Sequence, residues 1–438
     1  MIQNKSPIVL SLSILFLSIL QMISAHPDFV ISDFGTAGFP AVYDRTIVYR
    51  NWDNNNIIIH NLTTNETTII YTNTSSGTPD IFGDKVVWKD FRSGPYSPCL
   101  LFTYNISTNE ETNIKGITNV YDFRISNDRI VWTYSNSNPD VYYHDFSTGK
   151  GGFIRKLFGR VDFVKFYGDW ITWLGWPTAS GEQMDVFIHN FISKEEIQLT
   201  NDTDSENHPL IYEDKVLWSK DRWSNKTNYF TDDIYLYNIT TKKLRILNTT
   251  ECSKGGLKIW ENKLVWVSYR WYVNTTLISD MILYDLDTEK EIKLVSPEEL
   301  GVIDFHNHII VWQGKTVTNR EIGSDIHVLD LARDSDIDGE PDYLDPDDDN
   351  DGISDNDDAF PNDPAASKDS DGDGYPDEWN PGKSEKDSTT GLKLDDYPND
   401  PNKWKKEERK KEPMPGFEVM SILLMWGVCV VLLRRRKK

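Results

Sequence analysis

Short apolar segments, each ending in an aromatic residue, recur along the chain between polar turns at intervals of 39 to 48 residues. Their aromatic ends are Tyr49, Trp88, Trp132, Trp173, Trp218, Trp266 and Trp312. After each copy come a polar gap and a second apolar segment that ends in Asn or Asp. These second ends are Asn61, Asn105, Asp145, Asn190, Asn238, Asp285 and Asp330. A period of roughly 40–45 residues with several short strands indicates a β-propeller, so we predict seven blades.

The fifth repeat shows most clearly how one blade is built. Four segments of strand character, residues 208–213, 215–219, 233–238 and 243–247, are separated by polar turns. The third of them carries apolar or aromatic side chains on both faces, as a sheet packed between two other sheets requires. We therefore predict an all-β fold with four strands per blade, in which each repeat Trp fills the wedge between neighbouring blades.

Blade seven lacks an outer strand of its own. In the first six repeats an apolar segment follows the third strand, but an aspartate-rich segment begins soon after Asp330. A strand is available at the other end of the chain, where residues 28–32 (DFVIS) precede the first repeat. We predict that this N-terminal strand completes blade seven, closes the ring and covers two exposed sheet edges.

Charge divides the chain into three regions. The net charge is −23, and 12% of the residues are aromatic, which suits a β-rich core. Residues 334–402 hold 24 acidic residues and four lysines, whereas residues 403–438 hold 11 Lys or Arg and four Glu. The remaining globule is mildly acidic, so its surface repels nucleic acid rather than binding it.

Both ends of the chain have the features of targeting segments. Residues 1–25 contain one lysine, an apolar run and a small-residue end, the pattern of a secretory signal peptide; an uncleaved membrane helix is the alternative. At the other end, Pro415, Gly416 and Phe417 precede an apolar run and five basic residues. The run of 15 residues spans about 22 Å as a helix, less than the roughly 30 Å hydrocarbon core of a membrane.

The ordered trio of motif, apolar run and basic end resembles the PGF-CTERM sorting signal of archaeal surface proteins. The resemblance covers residues 415–438, which follow a basic linker at 403–414. It implies recognition by an archaeosortase, removal of the tail and attachment of the chain to a membrane lipid. The alternative is a permanent membrane anchor, and either one leaves the bulk of the protein at the cell surface.

Nine Asn-X-Ser/Thr sequons follow the N-terminal segment, and they are glycan acceptors only if the chain is exported. They begin at Asn61, Asn65, Asn73, Asn105, Asn201, Asn225, Asn238, Asn248 and Asn274. Three of these residues, Asn61, Asn105 and Asn238, also end a predicted strand. We therefore expect their structural role to compete with glycosylation.

Residues 334–402 hold the strongest local signal, a loop motif D-x-D-x-D-G-x-x-D-x-x-[DN] that occurs three times. With position 7 included, its residues are Asp334, Asp336, Asp338, Glu340, Asp342 and Asp345; Asp347, Asp349, Asp351, Ile353, Asp355 and Asp358; and Asp369, Asp371, Asp373, Tyr375, Asp377 and Asn380. Positions 1, 3 and 5 present oxygens to one point, Gly at position 6 permits the turn, position 7 offers its carbonyl, and positions 9 and 12 complete the shell. So many hard oxygen ligands suit Ca²⁺ better than Mg²⁺ or Zn²⁺.

No helical pattern flanks the loops, and the segment resembles the thrombospondin type 3 repeat. That resemblance implies an irregular chain wrapped around calcium ions in residues 334–402, after a propeller at 26–333. The motifs AFPNDP at 359–364 and DYPNDP at 396–401 also occur in microbial versions of this repeat. Position 12 is Asp or Asn instead of the Glu of an EF-hand, which puts bidentate closure in doubt, and a disordered acidic spacer is the alternative.

The predicted propeller shows no catalytic motif, since GxSxG, HExxH and CxxC are all absent from the sequence. His60, His144 and His189 occupy one repeat position that Tyr fills in other blades, so we interpret them as packing residues and not as a metal site. Several aromatic residues interrupt the repeat, and both ligand contact and rim packing remain open for them. They are Trp176, Trp223, Trp271 and Tyr272.

The repeat style of residues 28–333 resembles that of TolB-like and related archaeal surface propellers, although it carries no catalytic signature. We therefore expect a non-enzymatic, exported calcium-binding protein, anchored at the cell envelope, whose propeller binds a surface glycan or a protein. One alternative is a polysaccharide lyase or hydrolase, because propellers host those chemistries; a lyase should show a His, Lys or Arg cluster with a metal at the central channel. The other is a structural envelope component, which should self-associate.

Overall fold

The protein is described by a computed structural model that covers residues 29–31, 36–72, 76–91, 99–134, 140–155, 158–176, 184–224, 229–247, 249–271, 277–295, 300–318, 321–338 and 340–405. This part of the chain contains 28 β-strands and no helix. The strands form seven sheets of four strands each. The prediction of an all-β, seven-bladed propeller is confirmed.

Blades one to six each use four consecutive strands, which follow one another from the innermost to the outermost. Blade one contains β2 (Ala37–Tyr43), β3 (Thr46–Asn51), β4 (Ile57–Asn61) and β5 (Glu66–Ile70). Blade two contains β6 (Ser76–Phe82), β7 (Lys85–Asp90), β8 (Leu100–Asn105) and β9 (Glu110–Thr118). Blade three contains β10 (Val120–Ser126), β11 (Arg129–Tyr134), β12 (Val141–Asp145) and β13 (Lys150–Arg155).

Blade four contains β14 (Phe158–Tyr167), β15 (Trp170–Trp176), β16 (Asp185–Asn190) and β17 (Glu196–Gln198). Blade five contains β18 (Glu206–Tyr212), β19 (Lys215–Ser224), β20 (Tyr229–Asn238) and β21 (Lys243–Ile246). Blade six contains β22 (Ser253–Trp260), β23 (Lys263–Trp271), β24 (Leu277–Asp285) and β25 (Lys290–Val295). Blade seven contains β26 (Leu300–His306), β27 (Ile309–Thr318), β28 (Glu321–Asp330) and, from the other end of the chain, β1 (Phe29–Val30).

The N-terminal strand closes the ring, as predicted. β1 is the outer strand of blade seven and pairs antiparallel with β28, with Val30 opposite His327. The Ile31 N–H extends the pairing by donating to the Ile326 carbonyl over 3.0 Å. Because the first and last segments of the propeller share one sheet, the ring is tied shut by backbone hydrogen bonds.

The repeat Trp residues fill the spaces between blades. Trp88, Trp173, Trp218, Trp266 and Trp312 are no more than 1% exposed. In five blades the indole ring stacks, at interplanar angles of 8° to 27°, on the residue opposite it in the third strand. These pairs are Trp88–Phe102, Trp132–Tyr142, Trp173–Phe187, Trp218–Tyr235 and Trp312–His327. Stacked cross-strand pairs of this size account for the aromatic repeat.

The Asn or Asp that ends each third strand holds the turn that follows. In blade one, Asn61 Oδ1 accepts hydrogen bonds from the Thr63 and Thr64 N–H groups over 2.9 and 3.0 Å. The same contact recurs at Asn105, Asp145, Asn190, Asn238, Asp285 and Asp330. Only a short side chain with an oxygen acceptor reaches these N–H groups, so turn chemistry explains this part of the repeat.

In blade five two strands extend beyond the predicted bounds. β19 continues past the predicted end at 219, and β20 begins before the predicted start at 233. The added part is mostly polar, so apolar periodicity does not reveal it. It is held instead by the Arg222 guanidinium, which donates to Asp233 over 2.9 Å, and by the cross-strand pair Trp223 and Phe230.

Residues 331–405 contain turns and no strand in the part that the structure describes. The chain divides into two compact units between Asn356 and Asp357. The first part of the acidic segment therefore groups with the propeller, where Leu331 and Tyr343 pack against the core of the last two blades.

Candidate functional site

The first candidate site is a set of three aspartate loops. In each loop the aspartates at positions 1, 3 and 5 offer oxygens that lie within 4.8 Å of one another. The three groups are Asp334, Asp336 and Asp338; Asp347, Asp349 and Asp351; and Asp369, Asp371 and Asp373. Half of the predicted ligand residues thus come together, three in each loop.

A recurrent hydrogen bond shapes each loop from position 9. The carboxylate at position 9 accepts the N–H of position 2. Ser335 donates to Asp342 over 2.7 Å, Asp348 to Asp355 over 2.9 Å, and Ser370 to Asp377 over 3.0 Å. The position 9 aspartates therefore fold the loops back, a role that their prediction as ligands did not include.

The remaining loop positions also support the turn. The N–H groups of Glu340, Ile353 and Tyr375 at position 7 donate to the position 5 carboxylates over 2.7 to 3.0 Å. Gly352 and Gly374 at position 6 have φ angles of 93° and 88°, which favour glycine. The position 12 side chains of Asp345, Asp358 and Asn380 accept hydrogen bonds from nearby groups and belong to none of the three oxygen groups found among the described residues.

The loops hold buried oxygens that fit a cation. Asp347 Oδ1, Asp371 Oδ2 and both carboxylate oxygens of Asp348 are buried without a hydrogen-bond donor among the described residues. Asp348 is 1% exposed, and burial together with the neighbouring aspartates raises its pKa to about 8. Buried acceptors without donors are unfavourable, and clustered carboxylates repel one another. A hard divalent cation such as Ca²⁺ satisfies both conditions at once.

The second candidate site lies in the channel at the centre of the propeller. The inner strands of all seven blades line a cavity of about 220 Å³. The third residue from the end of each inner strand faces this cavity, so that every blade contributes one. In blade order these residues are Ala41, Asp80, Arg124, Lys165, Leu210, Lys258 and Asp304. We call this set the channel ring.

Two cations of the channel ring are paired with carboxylates. Lys258 Nζ donates to Asp304 Oδ1 over 2.7 Å, and the Arg124 guanidinium donates to Asp122 Oδ1 over 3.0 Å. Burial opposes ionisation of Asp304, but attraction to Lys258 outweighs it and lowers the pKa of that carboxyl. These two pairs are therefore charged and locally neutral.

The two aspartates of the channel ring also join neighbouring blades. Asp80 Oδ2 accepts the Ile125 N–H of blade three over 3.1 Å. Asp304 Oδ2 accepts the equivalent N–H, that of Val42 in blade one, over 3.0 Å. The second bond lies at the point where the ring closes. Each aspartate thus has a structural role, which accounts for its place in the channel without a ligand.

Lys165 differs from the other charged members of the channel ring. It makes no hydrogen bond or ion pair with any residue that the structure describes. Burial, together with repulsion from Arg124 and Lys258, lowers its pKa well below the ordinary value for lysine. Asp122 and Asp80 attract it through space, but within the described part of the chain it is the channel's one basic group without a hydrogen-bonded counter-ion.

Each inner strand ends two residues after its member of the channel ring. In six of the seven blades this last residue has an aromatic side chain. These residues are Phe82, Tyr43, His306, Trp260, Tyr212 and Tyr167 in order of contact. Successive ring centroids are 3.8 to 5.1 Å apart. We call this set the aromatic collar; its members contact one another and lie two residues beyond the channel ring along the inner strands.

The histidines and loop aromatics singled out in the sequence do not form a common site. His60, His144 and His189 lie in the third strands of three different blades, and His60 Nδ1 is 2.9 Å from Thr67 Oγ1. Trp223 is 51% exposed and makes an edge contact with Phe230. Trp176 is half-buried, whereas Tyr272 and the Trp271 side chain lie outside the described residues.

Five of the nine sequon asparagines are described. Asn65 and Asn201 are exposed, whereas Asn61, Asn105 and Asn238 are half-buried and hold turns through their amide groups. The others lie outside the described residues, namely Asn73, Asn225, Asn248 and Asn274. So do the predicted signal segment 1–25 and the sorting motif Pro415, Gly416 and Phe417.

Sequence reasoning missed the channel ring. Its members are 39 to 48 residues apart and belong to several chemical classes, so no local motif marks them. A signal was nevertheless available. Alignment of the inner strands on the residue that ends each of them places Asp80, Arg124, Lys165, Lys258 and Asp304 in one column. Charge in a column that lies within an apolar strand indicates a polar channel.

Neither a profile of a known protein family nor the sequence of a characterised protein matches this chain. Solved structures do match. The β-propeller domain of the Trilobed protease from Pyrococcus furiosus is 15% identical, with a TM-score of 0.52 over 72% of this chain and 100% of that one. Oligogalacturonate lyase from Vibrio parahaemolyticus is 12% identical, with a TM-score of 0.52 over 70% of this chain and 94% of that one.

TolB from Acinetobacter baumannii is also similar, at 12% identity and a TM-score of 0.41, over 67% of this chain and 79% of that one. Identities this low reveal the fold and nothing of the chemistry. The propeller is thus a scaffold that this chain shares with a protease and a lyase.

In the described part of the chain, no helix has the length and apolar character needed to cross a membrane.

Proposed function

We propose that this chain is an exported, surface-anchored calcium-binding protein whose propeller binds a glycan or a protein at the cell envelope. The observation that carries the calcium part is the convergence of three carboxylates within 4.8 Å in each of three loops of the same motif. The buried oxygens of Asp347 and Asp371, which have no donor among the described residues and belong to two of these groups, add support. Calcium would supply charge and rigidity to the segment and no catalytic chemistry.

A calcium titration followed by calorimetry tests this proposal at one loop. Asp373→Ala removes a position 5 carboxylate and should lose about one equivalent of bound calcium, because the loop keeps too few oxygens for the shell. Asp387→Ala removes the same charge outside the three loops and should bind as the parent does. Equal stoichiometry in all three proteins contradicts the assignment of the third loop.

The surface location rests on sequence features at the two ends and on the sequons. A tail of 415–438 in the order expected for an archaeosortase substrate predicts a mature chain without the five terminal basic residues. Peptide mapping of protein recovered from cell envelopes measures this. Full recovery of peptides from the basic end supports a permanent membrane anchor instead.

A second candidate function is a surface enzyme that acts on acidic polysaccharide. The channel ring contains Arg124, Lys165 and Lys258, the kind of basic cluster that we expect in a lyase, and one solved structure of similar fold is an oligogalacturonate lyase. Among the described residues no metal-ligating group of three accompanies this cluster, so we favour binding. Release of unsaturated products from uronate polymers, lost in Lys165→Met, would favour the enzyme.

A further inference from the structure

We propose that the central channel binds the carboxylate group of a small molecule, with Lys165 as the group that pairs with it. This inference deepens the proposed function, since it rests on a binding role for the propeller and names the class of ligand. It is independent of the calcium loops, which belong to residues after 333.

The geometry of the channel is that of a small binding site. Residues of all seven inner strands line the cavity. The volume of about 220 Å³ is below the roughly 300–1,000 Å³ of pockets that hold drug-sized ligands. The occupant is therefore about as large as a single sugar acid or amino acid.

The distribution of partners identifies the group that lacks one. Lys258 is neutralised by Asp304, and Arg124 by Asp122. Asp80 is held by a backbone N–H, and burial raises the pKa of its carboxyl. Lys165 faces the same cavity and has no partner among the described residues. An incoming anion thus meets one cation that has no hydrogen-bonded counter-ion, while Asp80 and Asp122 attract that lysine only through space.

The charge of the ligand follows from the single cation that lacks a hydrogen-bonded partner. A partly buried cation without a hydrogen-bonded counter-ion is unfavourable, and two neighbouring cations repel it further. One monoanionic carboxylate next to Lys165 Nζ would stabilise the lysine's positive charge by accepting a charge-assisted hydrogen bond from it. A dianion would bring a second negative charge toward Asp80 and Asp304. A metal cation is disfavoured, because the two aspartates are already engaged and the free group is basic.

The lining also suits a ligand that is polar at one end. Leu210, Ile211 and Phe166 form an apolar part of the wall beside the charged members of the channel ring. A carboxylate paired with Lys165 leaves the rest of a small molecule against this apolar part. Neutral molecules of the same size lack the carboxylate that would pair with Lys165.

Calorimetric titration of the full chain with glucuronate tests the inference, with glucose as the neutral probe and sulfate as the dianion. We expect one equivalent of glucuronate to bind and glucose and sulfate to bind at least tenfold more weakly. Lys165→Met should weaken glucuronate binding at least tenfold, and Lys165→Arg should largely restore it. Lys243→Met, an equal change of charge on the outer strand β21, should bind as the parent does.

Thermal unfolding separates this role from a structural one. If Lys165 serves a ligand, Lys165→Met relieves an unpaired buried charge, and the melting temperature of the ligand-free protein should rise. A fall in melting temperature, absent glucuronate binding, or unchanged binding in Lys165→Met each overturns the inference. Sulfate binding as tight as glucuronate overturns the carboxylate class. Calcium titration of the same samples is read separately, so failure here leaves the calcium proposal intact.

Discussion

At the residue scale, the repeat Trp and the repeat Asn or Asp do different work. The indoles are buried between sheets, whereas the Asn and Asp side chains hold tight turns at the surface. Both were visible in the sequence because each recurs once per blade. Two substitutions measure their separate contributions.

Trp218→Ala should destabilise the propeller by about 3–5 kcal/mol, the usual effect of truncating a large buried aromatic residue. Trp218 is 1% exposed and stacks on Tyr235 at 12°. Chemical unfolding monitored by circular dichroism gives the difference. Trp223→Ala is the matched control in the same strand, since Trp223 is 51% exposed, and we expect a change within about 0.5 kcal/mol. Similar losses in the two variants contradict the wedge packing.

Asn61→Asp should preserve stability, whereas Asn61→Ala should lose about 1 kcal/mol, the typical effect of losing one such hydrogen bond. The physical reason is the pair of hydrogen bonds of 2.9 and 3.0 Å that Asn61 Oδ1 accepts from the Thr63 and Thr64 N–H groups, a role that Asp285 fills in blade six. Thermal unfolding of the unglycosylated variants measures the difference in stability. Equal losses in the Asp and Ala variants would contradict a role for this turn hydrogen bond.

At the element scale, two blades depend on pieces that lie outside the regular repeat. Blade seven takes its outer strand from the N-terminus, and blade five extends a polar hairpin past its core. Outer strands are also the edges through which sheets pair with other chains. The short β1 therefore both closes the ring and covers the edge of β28.

Deletion of residues 27–32 should open the ring and promote aggregation, because β28 loses its partner and becomes an exposed edge. Ile31→Pro is a finer change, since it removes only the N–H that donates to Ile326 over 3.0 Å. Thermal melting and size-exclusion chromatography measure both effects. Ile31→Val keeps the N–H and serves as the control. A deletion variant that melts like the parent and stays monomeric shows that β1 is dispensable.

At the scale of the whole molecule, charge is concentrated in one segment. Residues 334–402 hold 24 acidic residues and four lysines and little apolar surface, so without cations they repel one another and favour extended chain. The propeller core contains none of the predicted calcium ligands. The two parts should therefore respond differently to chelation.

Chelation of calcium should expand the acidic segment and leave the propeller folded. We expect small-angle scattering to show a larger radius of gyration after chelation, and the main melting transition to shift by less than about 2 °C, equivalent to about 1 kcal/mol or less. A variant with Ala at positions 1, 3 and 5 of all three loops should have the larger radius even with millimolar calcium. A radius of gyration that changes neither with calcium nor with these substitutions would indicate that the segment is only an acidic spacer.

The sequence by itself determined the blade number, the strand order, the closing strand and the three aspartate loops. These features depend on local rules: apolar residues with a period near two, turn residues at fixed offsets, and carboxylates close along the chain. Asp369, Asp371 and Asp373 converge because one short turn carries all three. Each of these features depends on residues that are close together in the sequence, so it can be predicted without knowledge of the fold.

Tertiary structure alone decided the channel. Lys165 becomes a candidate ligand residue because seven strands, 39 to 48 residues apart at this position, converge on one axis. The same convergence pairs Lys258 with Asp304, and leaves Lys165 without a partner among the described residues. Burial and pairing of charge are properties of the assembled ring. No local pattern encodes which of three similar cations remains uncompensated, because that depends on contacts between distant parts of the chain.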